Sequence, residues 1–521
     1  MDLMRKPDCL EIETDEGFVG DAQVTFDREE KGLAVRLTAS SVHPRFVKMR
    51  WENSFENALS ATGDEFERLQ SDACFGSLDA DRYFAWYFLV KEKGCCECGG
   101  VKTHPHAFVS FSVDPRGVNA FFDVRNGGEG VDLRGRVLPV ATLISNVYPS
   151  LTAFNALRCF CSEMCSERIL PKEPVYGGND WYYSYGKSTG ASILDDAKLL
   201  AELSDGNVHR PYMVIDDGWE RGACGGPWQN NERFGDLATL TENFATLGVK
   251  AGIWIRFLHN EAALTAHPDW AIQRRDADGE RYLDPSLPGV IEHVLKDIRR
   301  IKSWGFTLIK HDYSGHDMFG LYGYEMNGAV CEDGDWNFGD KTRTNAEICM
   351  DFYQAIKEEC GPSCLVEGCD VFSHLATGYC ELNRIGDDTS GVVWDRTRSF
   401  GVNSLAFRLP QNGIFYACDA DCVGFAGIPF EKNALWLDLL SRSGTPLFIS
   451  CPSGLLTIEQ KAIVHAAFQR ASIQKDDAIP LDFETSADPV RWSINGGTVL
   501  FDWQRNEPPT LLKRARIHST R

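Results

Sequence analysis

Apolar and polar positions follow two different periods along the chain, and the change falls near residue 175. Before that point, runs such as "DAQVTFD", "LAVRLTA" and "AFFDVRN" alternate or are β-branched and lie between Gly, Asp and Asn residues. This pattern is typical of strands separated by turns. We therefore predict a mostly antiparallel, β-sandwich-like domain over residues 1–172.

Beyond that domain, short apolar runs alternate with helix-length amphipathic segments such as "SILDDAKLLAEL", "GVIEHVLKDIRRIKSW" and "NAEICMDFYQAIKEE". An eightfold alternation of strand and helix over some 300 residues is the signature of a (β/α)8, or TIM, barrel. We place this barrel at residues 173–475. The strand candidates are 179–185, 211–216, 249–256, 306–312, 363–368, 381–387, 413–419 and 445–450.

Strand patterns return after the barrel. The run "VRWSINGGTVLFDW" predicts a hairpin with Asn495 and Gly496 at its turn. We assign residues 476–521 to a short C-terminal β segment. The predicted fold class is therefore multidomain, with a central α/β barrel between two β regions.

Charge and hydropathy exclude several classes of protein. The 521 residues carry a formal net charge of −22, which argues against nucleic acid and anionic membrane surfaces as partners, because both require basic patches. No apolar run approaches the length of a membrane-spanning helix. The start, "MDLMRKPDCLEIETDEG", has no apolar signal region, so we expect a cytoplasmic protein. Whether the chain forms a homo-oligomer is left open.

The chain has 18 cysteines, which include the clusters "KGCCECGG" (Cys95, Cys96, Cys98) and "RCFCSEMC" (Cys159, Cys161, Cys165). A zinc site shared by the two clusters is one interpretation. Neither cluster has a clean CxxC spacing, and the residues are scattered through a long globular chain. We therefore favour reduced thiols, without a metal.

Ionisable and aromatic residues end nearly every predicted barrel strand. In (β/α)8 barrels the carboxyl ends of the strands form the active site, and the interior below is packed side chains. Side chains from seven strands should thus meet at one mouth. In strand order they are Asp180 and Trp181; Asp216 and Asp217; Trp254 and Arg256; Lys310, His311 and Asp312; Glu367; Arg384, Asp387 and Asp388; and Asp419 and Asp421.

A ring of carboxylates with indoles suits either a hard metal ion or a sugar. The acids come from separate strands, without an HxH pair or an EF-hand-like spacing, so a Mg²⁺ or Ca²⁺ site is disfavoured. Carboxylates accept hydrogen bonds from sugar hydroxyls, Arg and Lys donate to them, and indoles stack on the ring. Two further carboxyl groups can cleave a glycosidic bond. A carbohydrate substrate fits better.

The ordered motifs "VIDDGW", "GVKAGIW", "HPDW", "LIKHD", "VEGC", "RIGDDTSG", "CDADCVGF" and "GTPLFIS" resemble the melibiase-type α-galactosidases and their raffinose-synthase relatives. The resemblance covers residues 175 to about 475. It implies a retaining exo-α-galactosidase that needs no metal or cofactor. The alternatives are an α-galactosyl transferase of the raffinose-synthase kind, an α-N-acetylgalactosaminidase, and a non-catalytic sugar-binding barrel.

The resemblance also implies the catalytic pair. Asp312, in the Lys-x-Asp motif, corresponds to the nucleophile, and Asp387, in "GDDTSG", corresponds to the acid/base. In retaining enzymes these carboxyl groups lie about 5–5.5 Å apart. Lys310, two residues before Asp312 on the same strand face, is expected to lower the pKa of Asp312. Asp388 is expected to raise the pKa of Asp387, and we favour a structural role for Asp388 itself.

The remaining residues take binding roles by the same resemblance. Each is expected to contact one part of a galactose ring. Asp216 and Asp217 correspond to the residues that hold the 4- and 6-hydroxyls, Lys310 reaches the 3-hydroxyl, Glu367 and Arg384 face the 2-hydroxyl, Trp181 stacks beneath the ring, and Trp254 and Asp419 complete the pocket.

Three positions depart from the family pattern. His311 stands between the Lys and the Asp where an apolar or aromatic residue is usual, Ser390 replaces the second Asp of the acid/base motif, and Arg256 ends the third strand. Strand alternation points His311 away from the mouth. We therefore expect His311 to be a packing residue.

Overall fold

The computed structural model describes residues 1–222, 224–274, 279–473 and 477–503. An antiparallel β domain precedes a closed parallel barrel with surrounding helices, and a small sheet follows it. This order confirms the predicted fold class. The predicted division at residue 172 falls between the last helix of the β domain and the first barrel strand, and residue 475 lies outside the described residues.

The N-terminal domain is a ten-stranded antiparallel sheet. In its fourth strand Val47, Met49 and Trp51 are buried at every second position, as a sheet with one face on a core requires. The strands are β1 (Cys9–Thr14), β2 (Gln23–Glu29), β3 (Gly32–Thr38), β4 (Pro44–Glu52), β5 (Ala58–Asp64), β6 (Asp79–Glu92), β7 (Cys95–Val101), β8 (Phe108–Asp114), β9 (Gly117–Asp123) and β10 (Leu138–Pro149).

The barrel is built from short parallel strands, and a hairpin, β13 with β14, lies outside it. Its interior is packed with apolar side chains such as Val214, Leu308, Leu382 and Phe448. The strands are β11 (Tyr176–Asn179), β12 (Tyr212–Ile215), β13 (Glu220–Gly222), β14 (Gly225–Asn230), β15 (Lys250–Ile255), β16 (Leu308–His311), β17 (Leu365–Gly368), β18 (Leu382–Arg384), β19 (Ala417–Asp419), β20 (Cys422–Gly424) and β21 (Leu447–Ser450).

The seventh barrel strand is broken into β19 and β20. The first piece pairs with β18 and the second with β21, which closes the barrel. Asp421, at the break, has a positive φ of 65°, and its backbone N–H donates to Asp419 Oδ1 at 3.1 Å. This break places two carboxylates, Asp419 and Asp421, beneath the mouth.

The first helix packs against strands of the N-terminal sheet, and the other helices lie in the barrel region. In chain order the helices are α1 (Ala153–Met164), α2 (Trp181–Ser184), α3 (Gly190–Leu203), α4 (Leu237–Thr246), α5 (Glu261–Ala266), α6 (Pro288–Ser303), α7 (Ser314–Phe319), α8 (Asn345–Cys360), α9 (Ser373–Ala376), α10 (Trp394–Arg396), α11 (Ser404–Arg408), α12 (Phe430–Ser441) and α13 (Ile458–Ala471).

The first barrel strand lies earlier than predicted. We expected it at 179–185, but the strand is Tyr176–Asn179, and Trp181 to Ser184 form a helical turn. The strand contains Gly177, where a Cβ atom would lie 1.9 Å from Tyr212 O. A close backbone neighbour thus requires glycine, and a strand with two glycines lacks the apolar pattern by which strands are recognised.

The C-terminal sheet consists of β22 (Ala478–Pro480), β23 (Arg491–Ile494) and β24 (Gly497–Leu500). Asn495 and Gly496 form the turn between the last two strands, with φ values of 51° and 78°. Two positive φ values are the mark of the type I′ hairpin turn, so the predicted hairpin is confirmed. The rest of the predicted C-terminal segment, residues 504–521, lies outside the described residues.

Residues 65–73, which follow β5, leave the N-terminal sheet and enter the barrel mouth; we call this segment the strap. Leu69 N–H donates to Ile385 O at 2.9 Å, and Asp387 N–H donates to Leu69 O at 2.8 Å. The guanidinium of Arg408, on α11, donates to the backbone oxygens of Glu65 and Glu67. The strap thus makes one parallel β-bridge, at Leu69 and Gly386, to the segment that follows the sixth strand.

Glu347, near the start of α8, forms a second contact between the β domain and the barrel. Its carboxylate lies 2.6 Å from Arg136 Nη2 and 3.0 Å from His106 Nδ1. Burial by itself would raise the pKa of Glu347, but the hydrogen bonds from His106 and Arg136 outweigh it and lower the pKa to about 2 from 4.5. The ionised form of Glu347 therefore stabilises the folded chain.

The cysteines of the two clusters range from fully buried to exposed. Cys98 and Cys161 are fully buried, burial raises the pKa of both thiols well above the ordinary value, and all 18 cysteines are free thiols. Across the described part of the chain, no group of three or more His, Cys, Asp or Glu is placed to hold a metal ion. Nor is any described helix long and apolar enough to cross a membrane.

Replacing Glu347 with Gln should lower the free energy of unfolding at pH 7 by about 3 kcal/mol, because the depressed pKa is a folded-state preference for the carboxylate. The group's contribution is complete above its unfolded pKa of about 4.5 and disappears as the pH falls through about 2. Urea unfolding of both proteins between pH 7 and pH 3 measures the difference, which should narrow below pH 4.5. The control is Glu358→Gln, at an exposed position of the same helix. If the difference in free energy of unfolding between the original protein and Glu347→Gln does not change with pH, this account is wrong.

Candidate active site

Asp312 follows the fourth barrel strand, β16, and both of its carboxylate oxygens are held. Trp254 Nε1 donates to Oδ2 at 2.9 Å, and the backbone N–H of Tyr313 donates to Oδ1 at 2.8 Å. The residue is 8% exposed. Trp254, which we expected to contact the sugar, is itself buried and supports the carboxylate instead of presenting a free ring face. The two bonds fix the plane of the carboxylate.

The turn after Asp312 is supported by an arginine. Tyr313 has a positive φ of 63°, and the guanidinium of Arg256 lies 4.2 Å from the centre of its ring. Arg256 also pairs with the buried Asp317 at 2.6 Å. Arg256, one of the departures from the family pattern, therefore holds the backbone that presents Asp312.

Lys310 and Asp216 form a buried ion pair across the barrel mouth. Lys310 Nζ lies 2.7 Å from Asp216 Oδ2, which also accepts a bond from Asn179 Nδ2 at 2.6 Å. Burial would lower the pKa of Lys310, but the Asp216 carboxylate outweighs it and raises the pKa well above the ordinary value. Lys310, in β16, and Asp216, directly after β12, were predicted to bind separate hydroxyls. In the structure they form one ion pair.

Asp217 lies against a residue that the sequence reasoning missed, Glu220. Burial first, and then the neighbouring Asp217 carboxyl, raises the pKa of Glu220 to about 8. Burial likewise raises the pKa of Asp217. Glu220 therefore holds its proton to a higher pH than an ordinary glutamic acid, and its two oxygens accept from the backbone N–H groups of Gly218 and Cys224. No motif around Glu220 signals this pairing, because it depends on the turn after β12.

Arg384 lies at the floor of the site and is 1% exposed. Its Nη2 lies 3.1 Å from Asp421 Oδ2 and 3.2 Å from Asp388 Oδ1. Beside it, burial and then the Asp419 charge raise the pKa of Glu367 well above the ordinary value. The structure thus places Arg384 beside Asp419, at 3.8 Å, as well as beside Asp421 and Asp388.

Asp387 meets the strap at the opposite side of the mouth. Arg68 Nη2 lies 3.2 Å from Asp387 Oδ1, and Arg396 Nη2 lies 3.7 Å from Oδ2. Burial raises the pKa of Asp387, Arg68 opposes the rise, and Asp388 adds to it. The two adjacent aspartates differ, because Arg384 and Arg68 outweigh burial at Asp388 and hold its pKa below the usual range. A carboxyl with a raised pKa is suited to donate a proton.

Arg68 and Cys369 were not found by sequence reasoning. Arg68 Nη1 donates to the thiol sulfur of Cys369 at 3.2 Å, and Arg384 Nη1 lies 3.5 Å from the same sulfur. Burial, followed by the charge of Asp312, raises the pKa of that thiol. Cys369 therefore lies between Asp312 and the strap. The motif "VEGC" contains this cysteine, whereas nothing in the sequence around Arg68 connects it with the barrel.

Two further predictions concern aromatic residues. Trp181 is partly buried and packs against the apolar interior of the barrel, and its stacking on a sugar stays a prediction. His311 is buried and faces outward, with its ring centre 5.5 Å from that of Phe352 on α8. Burial lowers the pKa of His311 to about 4. The prediction of a packing role for His311 is confirmed.

No family model matches the sequence, and no curated protein matches it. Solved structures do match. The α-galactosidase TtGalA from Thermus thermophilus, in complex with p-nitrophenyl α-D-galactopyranoside, superposes with a TM-score of 0.63 at 16% identity, over 96% of this chain and 98% of that one.

Two other solved structures give the same result. The GH36 α-galactosidase AgaA from Geobacillus stearothermophilus, in complex with 1-deoxygalactonojirimycin, has a TM-score of 0.62 at 15% identity, over 91% of this chain and 72% of that one. The α-galactosidase from Lactobacillus brevis has a TM-score of 0.58 at 14% identity, over 94% and 74%. The chain therefore has the fold of the GH36 α-galactosidases, from its N-terminal β domain through its barrel.

Proposed function

We propose that the chain is a retaining exo-α-galactosidase that removes terminal α-linked galactose by double displacement. The observation that carries this proposal is the pair of unlike carboxyl groups at the mouth. Asp312 has a donor on each oxygen, whereas burial raises the pKa of Asp387. A nucleophile and an acid require this difference. The shared fold with α-galactosidases supports the same activity.

In the first step Asp312 attacks C1 of the galactoside, while Asp387 donates its proton to the departing glycosidic oxygen. A β-galactosyl ester of Asp312 forms and the alcohol leaves. In the second step Asp387, now ionised, takes a proton from water, which attacks C1 and releases α-galactose. Trp254 and Tyr313 keep the Asp312 carboxylate in place through both steps.

The galactose ring is held by the other mouth residues. In this proposal Trp181 stacks beneath the ring, and the joined pair of Lys310 and Asp216 contacts adjacent hydroxyls. Asp217 accepts a hydrogen bond from the axial 4-hydroxyl, beside Glu220, whose pKa is raised by burial and by Asp217 itself. Because the Lys310–Asp216 pair is already formed at 2.7 Å, little reorganisation is needed on binding.

Replacing Asp312 with Ala should lower kcat on nitrophenyl α-galactoside by several orders of magnitude, because no covalent ester can form. Azide, which fits the vacated space, should restore part of the rate and give β-galactosyl azide. Product analysis by proton NMR measures this. The control is Asp195→Ala, at an exposed site on α3. Normal turnover by the Asp312 variant, or an α-configured azide product, would contradict the mechanism.

Replacing Arg68 with Met should move the alkaline limb of the kcat/KM profile to higher pH. Arg68 opposes protonation of Asp387, so its removal raises the pKa of the acid and keeps the acid protonated at higher pH. The matched variant Arg68→Lys retains the cation and should move the limb less. A limb that stays in place, or moves to lower pH, in Arg68→Met would exclude Asp387 as the titrating acid.

Galactosides should be preferred over glucosides by at least about tenfold in kcat/KM, because a buried carboxylate left without its hydroxyl partner costs about 1–3 kcal/mol. Asp217→Asn should reduce this preference. We also expect the N-acetylated galactoside to be a poor substrate, because Glu367 and Arg384 fill the space beside the 2-position, where the acetamido group would lie. Rates on the three nitrophenyl α-glycosides measure both ratios. If kcat/KM is higher for the α-glucoside than for the α-galactoside, the role given to Asp217 is wrong. If it is higher for the N-acetylated galactoside, the role given to Glu367 is wrong.

A further inference from the structure

The strap carries a buried carboxyl group, that of Glu67, next to Arg68. Glu67 is 0% exposed, and its side chain lies against Gly315 of α7, where a Cβ atom would come 1.7 Å from Glu67 Oε1. On the other side, a Cβ atom at Gly323 would lie 3.1 Å from Oε2. Because both neighbours are glycines, the carboxyl group of Glu67 fits closely between the strap and the barrel.

Asp370, which follows β17, is the acidic partner of Glu67. It is 1% exposed, and its carboxyl group lies within hydrogen-bonding reach of that of Glu67. Two backbone bonds hold the residues there. Gly315 N–H donates to Asp370 O at 3.1 Å, and Ser373 N–H donates to the oxygen of Phe66, next to Glu67, also at 3.1 Å. Acidic side chains from two domains therefore meet in a buried position.

The hydrogen bonding of this pair requires a proton. Among the described residues, no donor makes a well-formed hydrogen bond to either carboxyl oxygen of Glu67 or to Asp370 Oδ1. Two buried carboxylates in contact would leave these oxygens without donors and would also repel each other. A proton on Glu67 removes both penalties, since its O–H can donate to Asp370.

Electrostatics at Glu67 favours the protonated form. Burial, and then the charge of Asp370, raises the pKa of Glu67 well above its ordinary value. Arg68 and the backbone N–H of Gly323 oppose this rise but are outweighed. The cation beside Glu67 on the strap is therefore not enough to keep both carboxyl groups ionised.

The other groups that face the pair do not replace this proton. They are the thiol of Cys349 and the phenol of Tyr353 on α8, the phenol of Tyr322 after α7, and the guanidinium of Arg408 on α11. Burial raises the pKa of the thiol and of both phenols, so these three are neutral at neutral pH. Arg408 donates to the backbone oxygen of Glu67 and pairs with Asp64 at 2.7 Å.

We propose that Glu67 and Asp370 form a proton-sharing pair that seats the strap in the barrel and thereby positions Arg68 beside Asp387. Glu67 is thus a positioning residue, and its effect on catalysis rests on the proposed role of Asp387. When the strap leaves the barrel, Glu67 reaches water, recovers ordinary acidity and releases its proton. Seating the strap therefore takes up one proton.

The sign of the pH dependence follows from the raised pKa of Glu67. The contribution of the pair to seating is complete below about pH 4.5, the ordinary value, and is lost as the pH rises towards the raised value. In this window, the uptake of one proton changes the seating equilibrium about tenfold for each pH unit. The strap should therefore open more often as the solution becomes more alkaline.

Hydrogen-exchange mass spectrometry on peptides that contain Leu69 and Asp387 measures strap opening, because the backbone N–H groups of these residues close the contact between strap and barrel. We expect their protection factors, corrected for intrinsic exchange, to fall about tenfold per unit between about pH 5.5 and pH 7. In Glu67→Gln the side-chain amide donates to Asp370 at every pH, so this dependence should disappear. Asp370→Asn should abolish it in the same way.

The matched control is Glu65→Gln, on the same strap. The carboxylate of Glu65 accepts from Ser71 Oγ at 2.9 Å and from Gln70 N–H at 3.3 Å, so it needs no shared proton, and the pH dependence should remain in this variant. Protection that does not change with pH in the original protein would overturn the proposal. So would a dependence that survives in both Glu67→Gln and Asp370→Asn, or one that disappears in Glu65→Gln.

Activity tests whether the pair acts through Arg68. Glu67→Ala should move the alkaline limb of the kcat/KM profile to higher pH, as Arg68→Met does, whereas Glu67→Gln should leave the limb closer to its original position. The double variant Glu67→Ala with Arg68→Met should move the limb no further than Arg68→Met alone. Shifts that add would overturn the positioning role. A protein that hydrolyses no α-galactoside would instead overturn the proposed glycosidase function, and hydrogen exchange would still decide whether the pair seats the strap.

Discussion

The backbone hydrogen bonds between Leu69 and the segment that follows the sixth barrel strand are the contact on which the mouth of this molecule depends. They join Leu69 to Ile385 and Asp387 at 2.8–2.9 Å and bring a segment of the N-terminal domain into the barrel. Both backbone groups of Leu69 are bonded, which fixes the position of the strap residues beside it. For that reason Arg68, the neighbour of Leu69, meets Asp387.

The site concentrates charge in a small, water-poor volume, and the arrangement of counter-charges decides the protonation of each carboxyl. Asp388 is held ionised by Arg384 and Arg68, whereas burial raises the pKa of Asp387 one residue away. Lys310 is paired with Asp216. Removing one member of such a buried pair leaves an uncompensated charge. The network therefore supports both the shape of the mouth and its chemistry.

Sequence reasoning succeeded where a residue's place follows from its own strand. Asp216, Asp312 and Glu367 were placed at strand ends because apolar runs end there, and the structure has them at those ends. The predicted bounds of the first barrel strand were wrong. Gly177 lies too close to a neighbouring backbone to carry a side chain, so this strand lacks the apolar pattern by which strands are recognised. The missed residues, Arg68 and Glu220, enter the mouth from outside the strand–helix repeat, where periodicity carries no information.

By itself, the sequence determined the order of strands and helices, the barrel, and the set of acids at its mouth, because these depend on local period and on the fixed topology of parallel strands. Tertiary structure decided which charges meet. The contact between Arg68 and Asp387 joins residues more than 300 positions apart, and no local pattern encodes such a distance. Protonation at the site, and the position of the strap, follow from packing between domains, which only the folded chain supplies.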